Sequence, residues 1–358
     1  MKRKKTRQIT LGGVKIGGGA PISVQSMTKT KTSNLTATIA QIHALEQAGC
    51  DIVRVAVPDL ASARAIKKIR QETGIPLIAD IHFHHHLALQ AIESGADGIR
   101  INPGNITSRK KVREIVRAAK ERAIPIRIGI NAGSLEKDLL KKYGAPTPQA
   151  LVESSMQWIR FLEDMDFFEI KVSLKSSDCL STIYAYQMAA KACDYPLHLG
   201  ITEAGTPFTG TIKSCIGLGV LLFEGIGDTL RVSLTGSPVD EVRVGQEILK
   251  TLNLREKGIE IISCPTCGRC EIDLFRIVKE VEERFSPSIR PSLKIAIMGC
   301  VVNGPGEARE ADIGIAGGKG SGLIFKKGKV VKKVREKDLV KALFSEIESM
   351  IEGTKKEY

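Results

Sequence analysis

Asp51-Ile-Val-Arg-Val-Ala-Val57 is a β-rich apolar run broken only by Arg54. The amphipathic stretch Ala61–Glu72 follows, and then a second such run, Pro76-Leu-Ile-Ala-Asp-Ile81. Runs that are apolar on both faces and alternate with amphipathic helices indicate a parallel sheet covered on both sides. The same reading extends outward in both directions. Further strands are expected at Pro21–Met27, Gly98–Ile101, Pro125–Ile130, Phe168–Ser173, Leu197–Ile201 and Thr229–Leu234. Helices are expected at Leu35–Ala48, Leu87–Ser94, Arg109–Glu121, Pro148–Glu163, Thr182–Ala192 and Gly210–Phe223. Eight such units in about 240 residues match a (β/α)8 barrel. The competing doubly wound open sheet lacks a Gly-x-Gly-x-x-Gly after its first strand.

A helix from Val239 to Ile248 closes the barrel, giving a first domain over residues 1–252, and the polar stretch Asn253–Gly258 reads as a linker. Residues 259–358 form a smaller α+β domain. It opens on a strand leading into Cys264-Pro-Thr-Cys267-Gly-Arg-Cys270, and a strand at Leu293–Met298 delivers Cys300. Two overlapping Cys-x-x-Cys steps aim thiolates at one centre, which suits zinc or an iron–sulfur cluster. A zinc site normally recruits a second Cys or His pair, but every His lies before residue 200. A ferredoxin run would need a Cys at position 274, which is Leu. The remaining donor has to come from elsewhere, and Cys300 with Glu307 is the source the chain offers. A structural zinc knuckle or a redox disulfide stays open on the motif alone.

The chain has 358 residues, a net charge of +13 and 4% aromatics. Scarce aromatics argue against base stacking and so against a nucleic-acid reading of that charge. Much of the excess lies in Lys2–Arg7 and in Lys326, Lys327, Lys329, Lys332 and Lys333, which read as solvated faces. The basic N-terminus leads into no apolar core of a signal peptide, no stretch is long enough to span a bilayer, and the cysteines suit a reducing cytoplasm. Cys50, Cys179, Cys193 and Cys215 lack ligand spacing and are expected to be small buried hydrophobes.

Barrel chemistry stands at the C-terminal strand ends. Those ends offer Arg54, Asp80 and His82, Arg100 and Asn102, Arg127 and Asn131, then Lys171, Ser173 and Lys175, then His198, Thr202 and Glu203, and lastly Arg231 and Ser233. Arginines between apolar neighbours need partners, because burying a charge alone costs several kcal/mol. Some could pair with Asp80 or Glu203. Cations nevertheless outnumber carboxylates, and the surplus calls for a phosphate or diphosphate. The turn Asn102-Pro-Gly-Asn105 could add backbone amides. His84, His85 and His86 read as surface, and Lys171 or Lys175 could instead form a Schiff base on a sugar phosphate.

Gln25-Ser-Met-Thr28, Val53-Arg-Val-Ala-Val-Pro58, Ile78-Ala-Asp-Ile-His82, Arg100-Ile-Asn-Pro-Gly-Asn105, Ile126-Arg-Ile-Gly-Ile-Asn131, Leu199-Gly-Ile-Thr-Glu-Ala-Gly205, Cys264-Pro-Thr-Cys267 and Gly299-Cys-Val-Val-Asn-Gly-Pro-Gly-Glu307 span nearly the whole chain. Together they resemble the 4-hydroxy-3-methylbut-2-enyl diphosphate synthase family of the non-mevalonate isoprenoid pathway, in its compact bacterial form. The resemblance implies a TIM-type barrel that binds 2-C-methyl-D-erythritol 2,4-cyclodiphosphate, and a [4Fe-4S] domain similar to the repeats of sulfite and nitrite reductases. It implies cluster ligands Cys264, Cys267, Cys300 and Glu307, with Cys270 a departure from the pattern. It also implies reductive ring opening; combined with the strand-end residues, this makes Glu203 the candidate proton donor and gives expected substrate contacts from Arg54, His82, Arg100, Asn102, Arg127, Asn131, Lys171, Ser173, Lys175, His198, Thr202, Arg231 and Ser233. Electrons would come from flavodoxin or ferredoxin. The assembly implied is a homodimer in which the cluster domain of one protomer caps the barrel of its partner, with no nucleic acid or membrane involved. The alternative kept beside it is a Schiff-base aldolase with a structural zinc site.

Overall fold

The computed structural model describes residues 2–106, 108–256, 258–285, 292–300 and 310–355. The chain divides into two compact units, meeting between Arg255 and Glu256. In the first, a short hairpin of β1 (Ile9–Leu11) and β2 (Val14–Ile16) precedes eight parallel strands. These are β3 (Ser23–Met27), β4 (Ile52–Ala56), β5 (Leu77–Ile81), β6 (Gly98–Ile101), β7 (Ile126–Asn131), β8 (Ile170–Lys175), β9 (His198–Leu199) and β10 (Thr229–Leu230). Their order, β8-β7-β6-β5-β4-β3-β10-β9, is closed by a parallel bridge between Val172 and Leu197. The result is the eight-stranded α/β barrel expected from the alternation. Every residue of β5 and β8 is buried, as a strand covered on both faces requires.

Two elements escape the pattern. The hairpin sits among Gly12, Gly13 and Gly17–Gly19, where the sequence carries too few apolar residues to show alternation. Yet Ile9, Leu11 and Ile16 pack with Ile52 and Ile78, residues near the N-terminal ends of β4 and β5, and so seal the bottom of the barrel. The helix Lys137–Tyr143 is one short extra turn of chain after β7. Strand β8 also runs two residues beyond its expected end, carrying Lys175 on the sheet.

The second unit is a five-stranded mixed sheet in the order β11 (Ile259–Ser263), β12 (Leu293–Met298), β13 (Ile313–Gly318), β14 (Ser321–Lys326), β15 (Lys329–Arg335). Helices Leu274–Arg284 and Leu339–Lys355 bury Leu274, Ile277, Val281, Leu339, Leu343 and Ile347 against it. Lys327 and Gly328, both at positive φ, make the tight β14–β15 turn. None of the described helices is long and apolar enough to cross a membrane.

Candidate functional site

A cavity of about 100 Å³ opens at the C-terminal strand ends of the barrel. It is lined by Arg54, Asp80, His82, Arg100, Arg127, Asn131, Ser173, Lys175, Thr202, Arg231 and Ser233. Ten of the thirteen substrate-contact candidates from the sequence therefore share one surface. The other three lie differently. Lys171 and His198 are wholly buried beneath the cavity. Asn102 donates to Ser134 Oγ at 2.7 Å, and its own oxygens accept from the amides of Gly104, Asn105 and Ile106. The amides of that turn are thus consumed by Asn102 itself, so the turn supplies no anion nest.

Six cations, Arg54, Arg100, Arg127, Lys171, Lys175 and Arg231, face two buried carboxylates at the strand ends, Asp80 and Glu241; a third, Asp228, is paired with Arg3 and attracts Lys171. Arg100 Nη1 donates to Asp80 Oδ1 at 3.2 Å, and Arg54 Nε stands 3.7 Å from Oδ2. Burial alone would raise the Asp80 pKa, but Arg54, His82 and Arg100 outweigh it and hold the carboxyl well below its usual range. His82 Nε2 lies 2.9 Å from Arg100 Nη1 and 3.4 Å from Asp80 Oδ2. On the far side, Glu241 pairs with Lys29 at 3.0 Å and Arg231 at 3.7 Å and accepts from the Leu234 amide at 3.0 Å.

The surplus charge has no protein partner. Lys171 Nζ, both Nε and Nη1 of Arg127, and Nε of Arg100 and Arg231 are buried without a hydrogen bond. Burial, then repulsion from neighbouring cations, pushes Arg127, Lys171 and Lys175 well below their ordinary values. Burial and Lys175 likewise push His198 well down, which leaves it neutral. Its Nδ1 meets Thr229 Oγ1 at 2.8 Å, and its Nε2 lies 3.3 Å from Lys175 Nζ. Unpaired buried donors on this scale are a standing cost that an anion relieves.

Glycine makes room for these side chains. A Cβ at Gly200 would collide with the Lys175 ammonium and stand 2.8 Å from the Arg231 carbonyl oxygen. Gly200→Ala is therefore expected to destabilise the protein by about 2 kcal/mol and to weaken inorganic diphosphate binding by displacing Lys175. Urea unfolding and calorimetry check the two effects separately.

Glu203 is exposed, outside the cavity lining, and holds φ at 52°. A non-glycine residue at positive φ is strained, and such strain concentrates at functional loops. Two contributors escaped the sequence reading. Glu241 stands in the first turn of helix Pro238–Thr251, where an acid is explained by the helix dipole alone. Met27 lies at the end of β3, and its sulfur accepts from Arg54 Nη2 at 3.0 Å. Among the other histidines, His84 and His86 are exposed, while His85 pairs with Glu114 at 3.2 Å. Cys50 is buried as expected, but Cys179 and Cys193 are only partly buried and Cys215 is exposed.

In the second unit, β11 ends at Ser263 and the cysteine run turns back. Thr266 is at φ 63°, and the Cys270 amide donates to the Cys267 carbonyl at 2.9 Å. The Gly299 amide donates to Cys264 Sγ at 3.3 Å. A Cβ at Gly299 would lie 2.5 Å from Cys270 Sγ and 3.5 Å from Cys264 Sγ, so the missing side chain keeps space between two sulfurs. Cys264, Cys270 and Cys300 are half-buried and Cys267 is exposed. Among the described residues no three His, Cys, Asp or Glu side chains gather to hold a single ion. A polynuclear cluster does not require that, because each thiolate takes its own iron. An N–H aimed at the Cys264 sulfur and a glycine-cleared space beside it fit such a group. Glu307 lies outside the described residues.

Barrel and cysteine domain together define a class: an anion-binding (β/α)8 protein carrying a thiol-rich C-terminal module. The GcpE TIM-barrel domain family matches residues 6–246, and the GcpE protein C-terminal domain family matches residues 260–349. The chain belongs to the GcpE family. It is 60% identical over 349 residues to a Geobacter sulfurreducens protein, covering 98% of this chain and 99% of that one. It is 59% identical over 350 residues to a Clostridium perfringens protein, covering 98% and 100%. Both are named 4-hydroxy-3-methylbut-2-en-1-yl diphosphate synthase (flavodoxin). Among solved structures, dihydropteroate synthase from Xanthomonas albilineans matches with a TM-score of 0.51 at 13% identity, over 70% of this chain and 98% of that one. Type I 3-dehydroquinate dehydratase from Clostridium difficile matches with a TM-score of 0.50 at 13% identity, over 68% and 98%. At that distance the likeness concerns the barrel fold alone. The Schiff-base aldolase alternative finds no support in the relatives' names.

Proposed function

We propose that this protein is an iron–sulfur oxidoreductase that converts 2-C-methyl-D-erythritol 2,4-cyclodiphosphate to (E)-4-hydroxy-3-methylbut-2-enyl diphosphate, opening the ring and removing one hydroxyl with two electrons. The observation that carries the reading is the cavity's unpaired cationic surplus in a chain about 60% identical to synthases of that name. Residues 1–252 bind substrate, and residues 259–358 hold a [4Fe-4S] cluster through Cys264, Cys267, Cys300 and Glu307. When bound, the cluster supplies the electrons and a Lewis-acidic iron.

The chain's own residues do the rest. Arg54, Arg100, Arg127, Lys175 and Arg231 grip the diphosphate oxygens by guanidinium forks and ammonium. Lys171 and neutral His198 support the floor and Asn102 shapes the turn after β6, with His82, Asn131, Ser173, Thr202 and Ser233 orienting the sugar-derived hydroxyls. Asp80 keeps Arg54 and Arg100 pointed at the mouth. Glu203 donates the proton that lets the C3 hydroxyl leave as water; its place next to Thr202 of the cavity lining, in a loop held at positive φ, supports that role. Flavodoxin or ferredoxin is the electron donor, and the reducing cytoplasm is the compartment that suits the thiolates.

The protein acts as a homodimer. Phe208, Ile212, Ile216, Val220 and Phe223 form an exposed stripe along helix Pro207–Phe223, beside exposed Leu180 and Tyr184. Apolar surface on that scale supports an interface. Ile216→Glu is expected to raise the dimer dissociation constant about 100-fold, since it buries a charge in that interface. Analytical ultracentrifugation reads the change.

The activity itself is tested by anaerobic reconstitution with iron and sulfide, followed by incubation with the cyclodiphosphate and dithionite-reduced viologen. Appearance of the linear diphosphate by phosphorus NMR supports the reading. A fully reconstituted protein that leaves the cyclodiphosphate unchanged overturns it.

A further inference from the structure

Among the described residues, strand β15 has a neighbour on one side only, β14, and all of its residues except Val334 are exposed. Arg335 pairs with Asp338 at 3.0 Å and Lys326 with Glu346 at 2.6 Å. Lys329, Lys332 and Lys333 make no ion pair among the described residues. Lysines on an edge strand guard against edge-to-edge aggregation, which accounts for the charges alone. It does not account for Val330 and Val331, which stand between them 59% and 47% exposed. By their pairings Val330 and Lys333 face one side of the sheet and Lys329 and Lys332 the other, so exposed apolar and basic groups alternate along the edge, a composition that suits docking of an acidic protein. The strand carries no aromatic side chain on which a nucleic-acid base could stack.

Position gives the surface its meaning. By register, Lys333 stands level with Leu323, Ala316 and Met298, and Met298 immediately precedes Gly299-Cys300. At the same end of the sheet, Glu336 Oε1 accepts from the amide of Asp273, three residues beyond Cys270. The Lys332–Arg335 end of the basic edge and the cysteine turn therefore share one end of the domain, while Lys329 stands level with Ile295 farther down the sheet.

We propose that the β15 edge, through Lys332 and Lys333 beside Val331 and with Lys329 farther along the strand, docks the acidic one-electron carrier protein that feeds the cysteine-held centre. This rests on the reading that the enzyme draws electrons from such a carrier. Each docking passes one electron: the carrier is oxidised by one, the centre is reduced by one, and two successive dockings complete a turnover.

The test uses the full-length holoenzyme and the variant Lys329→Glu/Lys332→Glu/Lys333→Glu, with recombinant flavodoxin as probe. Calorimetry measures flavodoxin binding at low and high salt. Turnover is measured with reduced flavodoxin and, separately, with dithionite-reduced viologen. The expected result is that the variant loses tenfold or more in flavodoxin affinity and in flavodoxin-driven turnover. Its viologen-driven turnover should stay within about twofold of the parent. Equal flavodoxin affinity in parent and variant overturns the docking site, as does an equal loss with both reductants. Tighter binding of a mixed RNA oligomer than of flavodoxin by the parent also overturns it. A parent that binds flavodoxin in a lysine-dependent way yet turns over with neither reductant supports the site and sinks the proposed activity instead.

Discussion

Cys264→Ser, purified anaerobically, is expected to carry less than one iron per chain where the parent carries about four. Its flavodoxin-driven and viologen-driven turnover should both fall below detection. Cys264 sits where β11 ends, accepts the Gly299 amide at 3.3 Å, and borders the space that Gly299 leaves clear. Serine keeps the shape and removes the soft donor, and hard oxygen competes poorly for iron–sulfur chemistry. Cys270→Ser is the control. The Cys270 thiol donates to the Ile272 carbonyl at 3.3 Å, a bond that a hydroxyl reproduces and that occupies the proton a ligand must lose. That variant is expected to keep its iron. Glu307→Ala is expected to keep most of its iron while one site becomes labile to chelator. Iron analysis and electron paramagnetic resonance distinguish these outcomes, and loss of the cluster in Cys270→Ser with retention in Cys264→Ser would reverse the ligand assignment.

The second large effect pairs a loss with a gain. Arg127→Met is expected to cut kcat/KM by roughly 10² to 10³, the scale of removing one buried charged partner from a bound anion. The same variant, free of ligand, should be more stable than the parent by about 1 kcal/mol or more. Arg127 is buried with Nε and Nη1 unbonded, and Arg54 and Arg100 repel it. A thermal melt reads the stability and steady-state kinetics read the loss. Were Arg127 a structural residue, both numbers would fall together.

The barrel was legible because its strands are apolar on both faces and its helices on one, a contrast that survives without any alignment. The cationic mouth was legible for a related reason: an arginine within a strand such as Ile99-Arg100-Ile101 has nowhere neutral to go. What was not legible depends on how deep a residue lies and on where its polar atoms are spent. Lys171 and Lys175 occupy the same strand, yet one forms the floor and the other the wall. Asn102 read as part of an anion-binding turn, and in fact it consumes that turn's amides. Glu241 was hidden because a helix N-terminus already accounts for an acid there. The cysteine run announced a soft centre from spacing alone, whereas the role of Gly299, set by the absence of a side chain, emerges only from packing.

The hairpin that closes the lower end of the barrel bears on how the cationic mouth works. With Ile9, Leu11 and Ile16 seated beneath β4 and β5, the buried cations Lys171 and Arg127 have apolar packing below them and the cavity above. The plug acts as an electrical insulator: it keeps the field of the stacked cations from leaking downward and concentrates it at the opening. A chain shortened past residue 16 would therefore bare Ile52 and Ile78 to water and lose stability along with that insulation.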